Sequence, residues 1–313
     1  MSLRKIHTAL VLGSGGARGL AHIGVLKCLE EYHVPLDAVV GTSIGALIGG
    51  LNASGMNAEE MDEVVCSMDK LTMARILMPK FSASGIVDNA RVKNFIHSLT
   101  GEKRIEKLPV AFRAVSTDLI TGEEVVFDKG FLADAILASI AIPALFQPIY
   151  HQGRYLVDGG LCNPLPVSVA HRMQMRNCIA VNVSPKPERI RKKIQTKTDR
   201  KDKRNKDGEP TWITNLLREH GYTLVLNTMK MPSFGMKKPD GIYFPSALRV
   251  TLQSISISSY NLIVQHLKQA QPDVLITPKI GEYDRLEFYK GAEIIQCGYD
   301  AAKIAMPKIL SLP

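Results

Sequence analysis

Short apolar runs alternate with stretches of helical periodicity along this chain, and the alternation predicts strands interleaved with helices. His7-Thr8-Ala9-Leu10-Val11-Leu12 runs into a glycine cluster, the pattern of a buried strand. Helical spacing follows from Leu20 to about Tyr32. Val39-Val40 close a second buried strand, and Ala46-Leu47-Ile48-Gly49-Gly50 open a helix of small and apolar residues. Further along, Gly153–Val157 reads as a strand, Pro166–Met175 as a helix and Asn177–Val183 as another buried strand. Phe288, Ala292, Ile295, Tyr299, Ala302 and Met306 recur at helical spacing and predict a last amphipathic helix against the core. The succession predicts an α/β fold: a mostly parallel central sheet with helices on both faces.

Three glycine-marked junctions carry candidate chemistry. Gly41-Thr42-Ser43-Ile44-Gly45 places a serine where a strand turns sharply into a helix, an arrangement called a nucleophile elbow. A β-carbon at Gly41 or Gly45 would collide with the neighbouring strand or helix, and the turn lifts Ser43 above the sheet. It also puts the Ile44 N–H near any anion formed there. The first strand leads into Gly13-Ser14-Gly15-Gly16-Ala17-Arg18-Gly19. This is not a dinucleotide fingerprint, because the last glycine of that pattern falls on Arg18, and it lacks the G-K-S/T ending of a P-loop. What remains is a loop whose N–H groups face a small anion beside a helix N-terminus. Asp158-Gly159-Gly160 ends the strand at 153–157, where an aspartate can approach another loop end closely; an ordinary turn is the alternative.

Together these junctions resemble the bacterial form of the patatin-like phospholipase family. Supporting segments are Ser116-Thr117-Asp118-Leu119 with Thr121-Gly122-Glu123, Ala138 to Pro148, and Asn163-Pro164. The similarity covers about residues 6–184 and resumes near 272–276. The resemblance implies a three-layer α/β/α patatin-like fold and a serine acyl hydrolase with a two-residue dyad. Ser43 would be the nucleophile and Asp158 its base, with Gly159 and Gly160 completing the aspartate motif. The oxyanion hole would be drawn from Gly15, Gly16, Ala17 and Arg18, with Gly15 and Gly16 foremost. Where the family has glycine this chain has Ser14, which would be strained at positive φ. Arg18 either meets a phosphate head group or ties the loop to a carbonyl or carboxylate.

A Ser–Asp–His triad is the rival arrangement, with His171, His220 or His266 following the aspartate. His22, one turn into the first helix, reads as structural. Asp118 reads as a turn residue that accepts from its own backbone. No cofactor and no metal are implied, because nucleophile, base and oxyanion donors would all be protein groups. A weakly active or non-catalytic lipid-binding regulator is the contrasting function.

Length and charge add a cap to this picture. The 313 residues suit one patatin-like domain, with a core at about 6–184 and 245–313 and an insertion at about 185–244. Much of the net charge of +9 sits in residues 186–210, which carry eleven basic and five acidic side chains. Trp212, Ile213, Leu216, Leu217 and Leu224 follow at helical spacing. A basic segment beside an amphipathic helix suggests a surface for anionic membrane through Lys192, Lys193, Lys201 and Lys203, or else a solvated insertion. Nucleic acid is the weaker partner, since aromatic residues do not interleave with the charges. The apolar N-terminal run is broken before it could form a signal peptide, and five scattered cysteines suggest reduced thiols. The expectation is a cytoplasmic enzyme with peripheral membrane contact and a lipid or acyl-ester substrate.

Overall fold

The apolar runs become neighbouring strands of one sheet, and the order of pairing brings the serine and aspartate junctions together. The computed structural model describes residues 8–67, 79–82, 85–87, 89–186, 235–237, 243–245 and 247–313. By its contacts the chain divides into two compact units, Met1–Lys186 with Ser258–Pro313, and Pro187–Ile257. Lys192, Lys193, Lys201, Lys203, Trp212 and His220 lie outside the described residues, as does nearly all of the expected cap.

In the first unit, β1 (Thr8–Leu12) is followed by a 3-10 turn at Gly16–Leu20 and by α1 (Ala21–Glu31). Then come β2 (Ala38–Thr42), α2 (Ile44–Ala53) and α3 (Ala58–Ser67). A small antiparallel pair, β3 (Pro79–Ser82) and β4 (Gly85–Val87), precedes α4 (Asn89–Thr100). The sheet resumes with β5 (Ala111–Asp118) and β6 (Glu124–Phe127), and α5 (Leu132–Ser139) follows. The hairpin β7 (Ile149–His151) and β8 (Arg154–Asp158) leads to α6 (Val167–Arg172) and β9 (Asn177–Val181). In the second unit, β10 (Gly235–Lys237) pairs antiparallel with β11 (Tyr243–Pro245). From Ser258, within α7 (Ala247–Gln269), the chain belongs to the first unit, whose last elements are β12 (Val274–Ile276) and α8 (Gly291–Leu310).

The main sheet runs β12-β9-β1-β2-β5, all parallel, and continues through the antiparallel β8 and β7, with β6 on the other side of β5. Alternation along each strand sorts side chains to two faces. Leu10, Leu12, Val39, Phe112, Ala114, Ile179 and Val181 pack under residues of α1 to α5 and α8. Ala9, Val11, Ala38, Val40, Cys178 and Ala180 pack under α6 and Ile263 of α7. Strands buried on both faces explain why their sequences read as near-continuous apolar runs.

The register at β5 places the site. β2 pairs with β5 up to Thr42 opposite Val115, and β8 begins its own pairing one rung on, with Asp158 opposite Ser116. The other edge of these β5 residues is taken by β6. β2 and β8 therefore meet end to end along a single edge of β5, and residues far apart in sequence stand on adjacent rungs.

Candidate active site

Ser43 is the residue between β2 and α2, at φ 58° and ψ −125°, a left-handed conformation that an L-residue holds only under constraint. The constraint comes from close backbone approaches on both sides. A β-carbon at Gly41 would lie 2.3 Å from the Gly45 carbonyl oxygen, and one at Gly45 would lie 2.2 Å from the Leu12 oxygen. A second support is Ser139, at the end of α5. The Ser43 N–H donates to Ser139 Oγ at 2.9 Å, and the Ser139 hydroxyl donates to the Val115 carbonyl at 2.6 Å. The sequence contained Ser139 inside a family-like segment without showing that its hydroxyl reaches the elbow.

Ser139→Ala should leave the Ser43 N–H buried without an acceptor. A kcat lower by roughly 10- to 100-fold is expected, with KM little changed, because the nucleophile loses alignment rather than binding surface. Initial rates on a soluble ester check it, and an unchanged kcat would remove Ser139 from the supports of the elbow.

Asp158 ends β8 and faces the elbow. Ser43 Oγ donates to Asp158 Oδ2 at 2.5 Å, and the Gly160 N–H donates to Oδ1 at 2.7 Å. Its own backbone is fixed on both sides: the N–H donates to the Ala141 carbonyl at 2.9 Å, and Thr117 Oγ1 donates to its carbonyl at 2.9 Å. Ser43 and Asp158 are only 4 % and 6 % exposed. Burial pushes the Asp158 carboxyl up to about 6, against the lowering pull of the Ser43 hydroxyl, the Gly160 N–H and the Arg285 guanidinium. The result is a carboxylate basic enough to take a proton yet largely ionised at pH 7.

The Gly13–Gly19 loop closes the site from β1. Three of its N–H groups are committed to distant carbonyls: Gly13 to Val181 at 3.1 Å, Ser14 to Pro164 at 2.8 Å and Ala17 to Arg285 at 2.8 Å. Ala17 therefore drops out of the expected oxyanion donors, because its N–H is already spent. Among the described residues no partner takes the N–H of Gly15 or Gly16. Arg18 is buried and its Nε donates to the Tyr283 carbonyl at 2.8 Å, so its side chain ties the loop to the 280s segment. Ser14 does not adopt positive φ, and the strain expected there does not arise; its Oγ is buried without a partner among the described residues. His22 supports the loop from below, its Nε2–H donating to the Gly13 carbonyl at 2.8 Å, and burial pushes its ring down to about 4, so it is neutral.

The other sequence candidates fall elsewhere. His171 is on the short α6, and His266 Nδ1 lies 3.3 Å from Asn163 Oδ1. Among the described residues no histidine hydrogen-bonds Ser43 or Asp158. Asp118 ends β5 and accepts from the N–H of Ile120 at 2.9 Å, as a turn residue does. Among the described residues no group of histidine, cysteine, aspartate and glutamate is arranged to hold a metal ion, and no helix is long and apolar enough to cross a membrane.

A mostly parallel α/β/α sandwich, with a serine elbow and an aspartate end to end on one strand edge, defines the class. Comparison with known families gives the particular one: the model of the patatin-like phospholipases matches residues 10–171, more than half of the chain, and the chain belongs to that family. An uncharacterized NTE family protein of Mycobacterium bovis is 40 % identical over 176 residues, 56 % of this chain and 49 % of that protein. Patatin-like phospholipase domain-containing protein 6 of Mus musculus is 36 % identical over 186 residues, 58 % of this chain and 14 % of that protein. The chain thus spans half or less of these relatives. Among solved structures, VipD from Legionella pneumophila aligns with 98 % of this chain and 67 % of its own, at 15 % identity and a TM-score of 0.47.

Proposed function

We propose that this chain hydrolyses carboxylic esters of lipids, as a phospholipase A, lysophospholipase or carboxylesterase, through a Ser43–Asp158 dyad. The observation that carries the reading is the 2.5 Å hydrogen bond from Ser43 Oγ to a buried carboxylate. Asp158 takes the Ser43 proton as Oγ attacks the ester carbonyl, and the oxyanion forms against the N–H groups of Gly15 and Gly16. Asp158 then gives the proton to the departing alcohol, leaving an acyl group on Ser43. A water enters and attacks the acyl carbon as Asp158 takes its proton; when the second intermediate collapses, Asp158 returns that proton to Ser43 Oγ, releasing the fatty acid and restoring the dyad. Family membership supports lipid esters as the substrate class.

The base must be ionised to act, so the pH profile tests the assignment. With Asp158 at about 6, kcat/KM should fall tenfold per unit below that pH and level off above about 7. The profile is measured on an uncharged ester for wild type and His171→Ala. A step that moves or disappears with the histidine would transfer the base role away from Asp158.

A further inference from the structure

Arg285 has no part in the steps above, yet it is built against the site. Its carbonyl accepts the Ala17 N–H at 2.8 Å, and two residues earlier the Tyr283 carbonyl holds Arg18. Gly16 makes the approach possible: at φ 61°, its β-carbon would lie 2.6 Å from the Arg285 oxygen and 3.1 Å from Arg285 Cβ. The 283–285 segment is thereby clamped to the loop whose Gly19 packs against Ile44 of the elbow and whose Ser14 lies beside Gly160. Arg285 Nε is buried and has no acceptor among the described residues. An unmet buried donor is costly, and an arriving anion would satisfy it.

The electrostatic setting favours an anion from the substrate. The guanidinium is close enough to Asp158 to lower the carboxyl pKa, which makes Asp158 a weaker base. That effect opposes proton abstraction from Ser43, so service to the base does not explain the residue. Arg18 repels the same guanidinium, while Asp158 and Asp284 attract it. When Asp158 accepts the serine proton its charge vanishes, and Arg285 loses one of the carboxylates that attract it as the tetrahedral intermediate forms. A planar fork of N–H donors suits a phosphate better than any neutral group.

We infer that Arg285 forms an anion subsite beside the oxyanion loop that selects acyl esters carrying a phosphate near the scissile bond. The inference rests on the hydrolase reading for its kinetic arm, and a binding arm stands apart from it. The kinetic arm compares a short-chain lysophosphatidylcholine with the monoacylglycerol of the same acyl chain, both below micelle-forming concentration. Arg285→Met should lower kcat/KM on the phosphate ester by about 10- to 100-fold and on the neutral ester by less than about threefold, with Arg285→Lys between. Equal losses on both esters, as for a general oxyanion donor, would overturn the inference, and so would no loss. In the binding arm, glycerol 3-phosphate should raise the melting temperature of wild type and of Arg285→Lys but not of Arg285→Met. A shift that survives Arg285→Met sinks the subsite. An equal shift with inorganic phosphate would contradict selection of a lipid head group. Wild type that hydrolyses neither ester defeats the hydrolase reading, and the binding arm then decides Arg285 alone.

Discussion

Ser43→Ala and Asp158→Asn are each expected to lower kcat on a lipid ester by on the order of 10⁴, with the fold retained. The two losses should not add, because the hydroxyl and the carboxylate act as one unit across the 2.5 Å hydrogen bond. The asparagine variant carries a second, opposite signature. Burial holds the Asp158 carboxyl at about 6 rather than at its ordinary 3.8, so folding at pH 7 buries an anion that is better solvated in the unfolded chain. A raised acid pKa means that the folded state binds more protons between those two values. Stability is therefore lost as pH rises from about 4 to about 6, and the full deficit, about 3 kcal/mol, remains above that. Asp158→Asn should melt higher than wild type at pH 7, and the advantage should shrink toward pH 4. A variant both inactive and more stable fits a group kept for chemistry; one that is inactive and less stable would make Asp158 a structural residue.

Gly24→Ala is expected to destabilise the protein by about 3 kcal/mol, near the upper end for an overpacked core, and to lower its melting temperature by roughly 6–12 °C. The reason is a reciprocal backbone contact between α1 and α8. A β-carbon at Gly24 would lie 1.8 Å from the Ile295 carbonyl oxygen, and one at Gly298 would lie 1.9 Å from the Ala21 oxygen. Both obstacles are main chain, so no side chain can turn aside and one helix must move. Because α1 also carries His22, whose ring holds the Gly13 carbonyl, activity should fall with stability. Ile304→Ala, on the same α8 but 79 % exposed, is the control and should stay within about 0.5 kcal/mol of wild type. Thermal melts of the three proteins settle the matter, and a Gly24→Ala variant that melts with wild type would remove the crossing as a constraint.

The readable parts of the site were those that short-range geometry dictates. Gly41 marks the elbow because the collision it avoids, with the Gly45 carbonyl, arises within one turn, whereas the one Gly45 avoids comes from Leu12 of β1; Asp158 stands out through the two glycines after it. Strand and helix positions followed from apolar spacing, with differences at the ends. The helix expected at 166–175 is confined to Val167–Arg172, and the strand expected to Val183 ends at Val181. The C-terminal helix starts at Gly291 because Phe288–Lys290 forms a 3-10 turn. What the sequence hid depends on long-range pairing. Nothing local indicates that β8 runs antiparallel to β5 and meets β2 end to end. Nor could spacing show that a carbonyl 268 residues away takes the Ala17 N–H. Ser139 and Arg285 were missed for the same reason: their neighbours at the site come from other elements, and no motif surrounds Arg285.

The dyad itself is tested most directly by covalent labelling. Wild type is incubated with an alkyl fluorophosphonate, and its intact mass and peptide map are recorded beside those of Ser43→Ala and Asp158→Asn. The expected result is a single adduct on the peptide that contains Ser43, none on Ser43→Ala, and strongly slowed labelling of Asp158→Asn. An unlabelled wild type, or an adduct that persists in Ser43→Ala, would contradict the assignment of Ser43 as the nucleophile.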